Sequence, residues 1–150
     1  MNANIDLLFK DEVYQIVGCA IEVLNGIRHG LHERPYENSL VVELRLRGTA
    51  YVQQPHYPIL YKGIHVGEYM PDLIAFNALI IDTKVVDNIT DHEGGQMLNY
   101  LRITALPVGV ILNFKHARLE WERLVLTNER PVGTDEHESG TADFLRAPNR

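Results

Sequence analysis

"PDLIAFNALIIDTK", residues Pro71–Lys84, sets two aspartates and a lysine into a run of Leu, Ile, Ala and Phe that otherwise reads as an apolar β-hairpin. A short turn around Asn77, a residue that tolerates left-handed backbone, leaves Asp72 and Asp82 each five positions from the centre. Directly opposed residues of an antiparallel pair project from one face, with Cβ atoms about 5 Å apart. Lys84, two residues beyond Asp82, joins that face, and Thr83 points to the other. Opposed carboxylates repel and each loses hydration in an interior strand, so something compensates. A divalent hard cation does so: Mg²⁺ takes oxygen ligands, typically one or two carboxylates with waters and substrate phosphate. The Thr83 carbonyl would add a third protein oxygen, and Lys84 would orient or deprotonate an attacking water, or stabilise charge on a phosphate. Two other readings stay open on these residues alone. Asp82 and Lys84 form an exposed ion pair while Asp72 caps a strand; or a two-residue turn pairs Asp72 with Thr83 and sends the aspartates to opposite faces.

The surrounding chain reads as a mixed α/β domain. Val13, Ile16, Val17, Ala20 and Val23 recur at three- and four-residue spacing, marking a helix from about Phe9 to Leu24 that stops near Asn25-Gly26. After a loop rich in Gly and His, Leu40, Val41 and Leu44 mark a second helix with Pro35 in its first turn and Gly48 at its end. Short β-type segments follow as a meander: AYVQQ, YPILYKG, IHVGEYMPDLIAF and ALIIDTKVV, with Lys62-Gly63 as a turn. Thr90-Asp91-His92-Glu93 is a capping box that opens a helix through QMLNYLRITA. Pro107 cannot continue that helix, and PVGVILNF and LEWERLVL supply two more strands. Residues 127–150, poor in apolar side chains and rich in turn formers, read as a flexible tail on a domain spanning 1–126.

A chain of 150 residues with 45% hydrophobic and 23% charged side chains suits one domain with a real core. The first residues reach acidic side chains before any apolar stretch long enough for a signal-peptide core, and no run approaches the ~18 apolar residues of a membrane span. A soluble, cytoplasmic protein with no membrane partner is expected. The one cysteine, Cys19, excludes an internal disulfide and a cysteine-rich zinc site and reads as a buried thiol. A net charge of −6 speaks against a dedicated non-specific nucleic-acid binder. It leaves a nuclease open, because a bound cation offsets clustered carboxylates.

A helix, a β-meander carrying P-D…(D/E)-x-K, then a helix and another strand resembles the PD-(D/E)xK nuclease superfamily, whose restriction-endonuclease-like fold is a mixed central β-sheet flanked by helices. Gly30-Leu31-His32-Glu33-Arg34-Pro35-Tyr36 fits the G-x-x-E-x-x-Y signature of the GxxExxY protein family within that superfamily. YENSLVVELRLRG, YKGIHVGEYMPDLI, DHEGGQMLNYLRITALPVGVILNF and LEWERLVL look like that family's other blocks, so the likeness runs from about Phe9 to Leu126. It implies roles at the matching positions. Asp72 stands at the place of the first metal-binding aspartate, Asp82 at the D/E place and Lys84 at the lysine place; aspartate is the less usual choice at the second acidic position. Gln96 joins these three as catalytic, Thr83 and Glu33 join the two aspartates as metal ligands, and Tyr36 and Tyr100 support the site. Gln96 and Tyr100, a Q-x-x-x-Y pattern one helical turn apart, share a face. The resemblance further implies Mg²⁺ or Mn²⁺ as cofactor, nucleic acid and in the first place DNA as partner, and phosphodiester hydrolysis. The alternative is a catalytically inactive nuclease-fold module that binds nucleic acid or a protein partner, since folds do not fix functions. A protein partner or a homo-oligomer stays open beside either reading.

Overall fold

The stripe formed by Val13, Ile16, Val17, Ala20, Val23 and Leu24 is the buried face of helix α1 (Lys10–Ile27) in the computed structural model, which describes residues 8–126. The expected tail, 127–150, lies outside the described residues. Cys19 is buried on the same helix, and burial raises its thiol pKa. The helix passes Asn25-Gly26 by one residue, close to the expected stop. It runs on to Ile27 and ends at Arg28, whose φ of 67° turns the chain away while its N–H still donates to the Leu24 carbonyl at 2.9 Å. An exposed glycine in the last turn weakens a helix without ending it; the left-handed residue is what ends it. Helix α2 (Glu33–Leu46) carries Pro35 in its first turn, as expected. It closes in a Schellman motif: Gly48, at φ 69°, donates to the Arg45 carbonyl at 3.1 Å, and Thr49 donates to that of Leu44 at 2.9 Å.

Seven strands follow. They are β1 (Tyr51–Gln53), β2 (Tyr57–Tyr61), β3 (Ile64–Tyr69), β4 (Leu73–Ala75), β5 (Leu79–Lys84), β6 (Val108–Asn113) and β7 (Glu120–Val125). Helix α3 (Asp91–Thr104) crosses between β5 and β6, and its capping box forms as the sequence predicts, with Thr90 N–H donating to Glu93 Oε1 at 2.8 Å. The main sheet has the order β1-β4-β5-β6-β7. Every neighbour is antiparallel except β5 and β6, which the α3 crossover makes parallel. This is the mixed central sheet of a restriction-endonuclease-like fold.

The simple meander needs correction, because β2 and β3 leave the main sheet and pair only with each other. The reason is local. β1 and β4 pair Tyr51 with Ala75 and Gln53 with Leu73, and β2 and β3 resume in the same register, Tyr57 with Tyr69. In that register Pro55 faces Pro71 at a non-hydrogen-bonded position, where N–H groups point away from the partner strand, and Pro71 has no N–H to continue the ladder with β5. The last rung before the break is Gln54 N–H to the Asp72 carbonyl at 3.0 Å. One long hairpin is therefore interrupted at its prolines, and its outer half becomes an arm. Lys62 (φ 51°) and Gly63 (φ 80°) make the turn at its tip. A register shift at Ile59/Leu60 leaves Val66 as the extra residue of a bulge.

Leu79–Ile81 of β5 and Val108–Leu112 of β6 are apolar and buried because both faces of the sheet are covered there. Phe114, just past β6, stacks on Tyr36 of α2 with ring centroids 4.5 Å apart, whereas Gly109 of β6 lies against Met97 of α3. Odd and even positions of a strand face opposite ways, so α2 and α3 lie on opposite faces. Among the described residues no helix is long and apolar enough to cross a membrane. A Cβ on Gly109 would overlap the Met97 thioether, and Met97 is itself fully buried. Gly109→Ala is expected to cost about 1–3 kcal/mol of stability, read from the shift in denaturant midpoint. The loss should shrink when the same substitution is made in a Met97→Ala background, since the obstructing atoms are then gone.

Candidate functional site

The turn between β4 and β5 spans Phe76, Asn77 and Ala78. Phe76 and Asn77 both take positive φ (57° and 55°), and Ala78 N–H donates to the Ala75 carbonyl at 3.0 Å. Pairing then runs Ala75–Leu79, Ile74–Ile80 and Leu73–Ile81, centred on Asn77. Continued by one residue, that register brings Asp72 opposite Asp82, and the two-residue turn is not the one adopted. The parallel register of β5 with β6 matches Asp82 to Ile111 and Lys84 to Asn113, which puts Asp82 and Lys84 on the α3 side of the sheet with Gly109.

Asp72 lies one residue before β4, where the prolines have interrupted the ladder, and its carboxylate turns onto β5. Its Oδ2 accepts both the N–H and the hydroxyl of Thr83, each at 2.8 Å. Sequence reasoning assigned Thr83 only a carbonyl, but the buried threonine also holds the aspartate in place. The Lys84 carbonyl accepts Phe114 N–H at 2.9 Å on the β6 side. Backbone groups alternate along a strand, so the Thr83 carbonyl faces the β4 side, where Asp72 lies.

Asp82 and Lys84 form an ion pair of 3.6 Å that is largely buried rather than exposed, with side-chain exposures of 15% and 23%. Burial, above all, pushes the Asp82 pKa up to about 7; Lys84 opposes the rise and the Asp72 carboxylate adds to it. Burial works against the Lys84 charge too, but the Asp82 and Glu33 carboxylates outweigh it and raise the lysine pKa. Two carboxylates and a carbonyl are hard oxygen donors of the kind and number that Mg²⁺ or Mn²⁺ accepts from protein. The excess negative charge that lifts Asp82 is what a divalent cation would relieve. The residues therefore fit such an ion.

The structure brings the other expected residues to the site unevenly. Glu33, the first residue of α2, accepts Val85 N–H on Oε2 at 3.2 Å and approaches Lys84 electrostatically. Among the described residues no group of three or more His, Cys, Asp or Glu is arranged to hold a metal, so Glu33 does not complete a three-acid cluster with Asp72 and Asp82. Tyr36 is fully buried; its hydroxyl donates to the Arg28 carbonyl at 2.7 Å and accepts Leu31 N–H at 3.1 Å. It ties down the loop that presents Glu33. Tyr100 of α3 stacks on Tyr69 of β3 with centroids 4.0 Å apart, and burial followed by the Asp82 charge raises its pKa. Gln96, partly buried, lies one turn earlier on α3.

Two residues at the site escaped sequence reasoning. Tyr69 completes the aromatic pair, and burial, then Asp82, pushes its phenol pKa far up. Its place three residues before Asp72 is the only signal it leaves. Glu37 is buried and accepts Gln53 Nε2 at 2.8 Å and Gln54 Nε2 at 3.0 Å, securing the strand that faces Asp72. Its signal is the i,i+4 spacing from Glu33, which sets both acids on one helix face. Asn113, the register partner of Lys84, donates to the Val86 carbonyl at 2.8 Å and accepts Val86 N–H at 3.0 Å, fixing the chain as it leaves β5.

The family described as the PD-(D/E)XK nuclease superfamily matches residues 10–124, a span that includes every residue of this constellation. No curated protein and no solved structure matches the chain.

The electrostatics have a measurable consequence. Below pH 3.8 the Asp82 carboxyl is neutral in folded and unfolded chains alike; from there to about 7 the unfolded chain loses the proton and the folded chain keeps it. Metal-free stability is therefore expected to fall as pH rises through that window and to level off above it. Asp82→Asn should remove the slope, melting above the parent at pH ~8 and level with it below pH ~4 in EDTA. An Asp82→Asn protein that melts lower at every pH would instead make Asp82 a net stabilising partner of Lys84.

Proposed function

The chain belongs to the PD-(D/E)XK nuclease superfamily, and from that membership we propose that it is a metal-dependent nuclease hydrolysing phosphodiester bonds of nucleic acid, with DNA the first substrate to test. The observation that carries this reading is the convergence of Asp72 and Asp82 at the end of β5, with Lys84 3.6 Å from Asp82. Asp72, Asp82 and the Thr83 carbonyl would hold Mg²⁺ or Mn²⁺. When bound, the ion supplies activation of a water and neutralisation of phosphate charge.

The chain's own residues do the rest. The two Thr83 hydrogen bonds lock the rotation of the Asp72 carboxylate, so that it is placed before any ligand arrives. Lys84, its pKa raised, is an ammonium at neutral pH. It therefore donates hydrogen bonds to an attacking water or to the phosphate and is not the group that takes the proton. Glu33 is better read as a positioning residue than as a ligand, because it bonds Val85 N–H and stabilises the Lys84 charge. Gln96 keeps the water-orienting role that the Q-x-x-x-Y pattern suggests, and Tyr69 and Tyr100 wall the acidic pair.

The test is cleavage of end-labelled single- and double-stranded DNA and RNA with Mg²⁺, with Mn²⁺ and with EDTA, beside Asp72→Asn and Lys84→Ala. Cutting is expected with metal only, reduced at least ~100-fold in Lys84→Ala, and Asp72→Asn should also weaken Mn²⁺ binding in calorimetry. Equal activity in parent and variants would overturn the assignment of these residues. No cleavage under any condition would leave a nuclease-fold module that binds without catalysis.

A further inference from the structure

The arm formed by β2 and β3, with Met70 at its foot, carries a large share of the exposed apolar side chains among the described residues. Leu60, Tyr61, Ile64, Val66 and Met70 are 58%, 63%, 67%, 59% and 47% exposed. Tyr61 and Ile64 pair across the Lys62-Gly63 turn, and the Lys62 ammonium lies 5.3 Å from the centroid of the Tyr61 ring. The root of the arm is the site itself. Tyr69, the last residue of β3, stacks on Tyr100 beside Asp82, and the chain reaches Asp72 three residues later.

Any polynucleotide that reaches Asp72 and Asp82 has the arm as a neighbour, and the chemistry of the arm selects which part of it would bind. A duplex backbone is held by rows of Lys and Arg. Between Tyr57 and Tyr69 the only Lys or Arg is Lys62, and Glu68 offsets it. An exposed aromatic ring with Ile64 as its cross-strand neighbour and a single ammonium beside it offers instead the stacking contact that aromatic side chains make with unpaired bases. We infer that the arm is the contact surface for an unpaired strand of the substrate, with bases stacking on Tyr61 beside its cross-strand partner Ile64 and Lys62 meeting a phosphate. This inference rests on the nuclease reading and deepens it: the substrate is single-stranded nucleic acid, or a duplex with a splayed end, and not an intact duplex.

Tyr61→Ala, Ile64→Ser and Lys62→Ala change exposed side chains, and equal melting temperatures would verify that the fold is untouched. Binding of fluorescent single-stranded and duplex DNA, with single-stranded RNA in parallel, is measured in EDTA, where metal-dependent cleavage cannot intervene. The parent is expected to bind single strands more tightly than duplex. Tyr61→Ala should weaken single-strand binding roughly 5- to 150-fold with the salt dependence unchanged, because stacking releases no counterions. Lys62→Ala should lower the slope of log affinity against log salt by about one. If the parent cuts nucleic acid but Tyr61→Ala binds single strands as the parent does, the arm inference fails and the nuclease reading stands. If the parent neither binds nor cuts any nucleic acid, the nuclease reading fails and the inference falls with it. Arm variants that convert a dimer to a monomer in sedimentation without changing nucleic-acid binding would make the arm an interface between copies, which also overturns the inference.

Discussion

Pro55 and Pro71 have no N–H to donate, and in the register shared by β1–β4 and β2–β3 they face each other. Between those two strands the proline pair is a non-hydrogen-bonded one, but Pro71 also stands where the next rung to β5 would fall, and the β4–β5 ladder cannot pass it. The outer half of the hairpin turns away as an arm, and Asp72 is left just outside β4 with its carboxylate swung onto Thr83. The one interruption therefore shapes both the acidic pair and the surface beside it. Glu37 reinforces it by gripping Gln53 and Gln54 as they enter the break.

The acidic pair is costly because of where it stands. β5 is a core strand, covered by α2 on one face and α3 on the other, and Leu79, Ile80 and Ile81 are fully buried. Asp82 follows directly and is desolvated with them, which is the main reason its proton is held so tightly. Lys84 repays part of this cost with its opposite charge. It does not repay all of it, since the Asp82 pKa stays raised with the lysine in contact. Clustered, desolvated carboxylates that remain undercompensated are more characteristic of functional sites than of structural ion pairs. The proposed divalent cation would complete the compensation.

The supporting shell is built from buried polar groups of the core. Tyr36 is stacked on Phe114 while its hydroxyl holds the loop before α2, which fixes the helix start that carries Glu33. Asn113 staples the segment after β5 through both polar atoms of its amide. A site held by core strands and a helix terminus is pre-organised, and pre-organisation is what positional catalysis requires.

Much of this was legible in the chain itself. The helical spacing of Val13 through Val23, the Thr90–Glu93 capping box, Pro35, Gly48 and the Lys62-Gly63 turn act through local sterics and local hydrogen bonds, which neighbouring residues determine. The opposition of Asp72 and Asp82 was legible too, because a turn centred on Asn77 makes it a matter of counting. Local pattern could not separate β3 from β4, for Pro71 matters only because the next rung to β5 would fall on it. Tyr69 and Glu37 act through partners 31 and 16 or more residues away, on Tyr100 and on Gln53 and Gln54. By itself the sequence determined most of the elements and the chemical types at the site, both short-range matters, and narrowed the register of the aspartates to two turns. Only the tertiary structure decided how deeply Asp82 is desolvated, where the Asp72 carboxylate turns and what packs beside them, because burial and long-range pairing are properties of the assembled sheet and its covering helices.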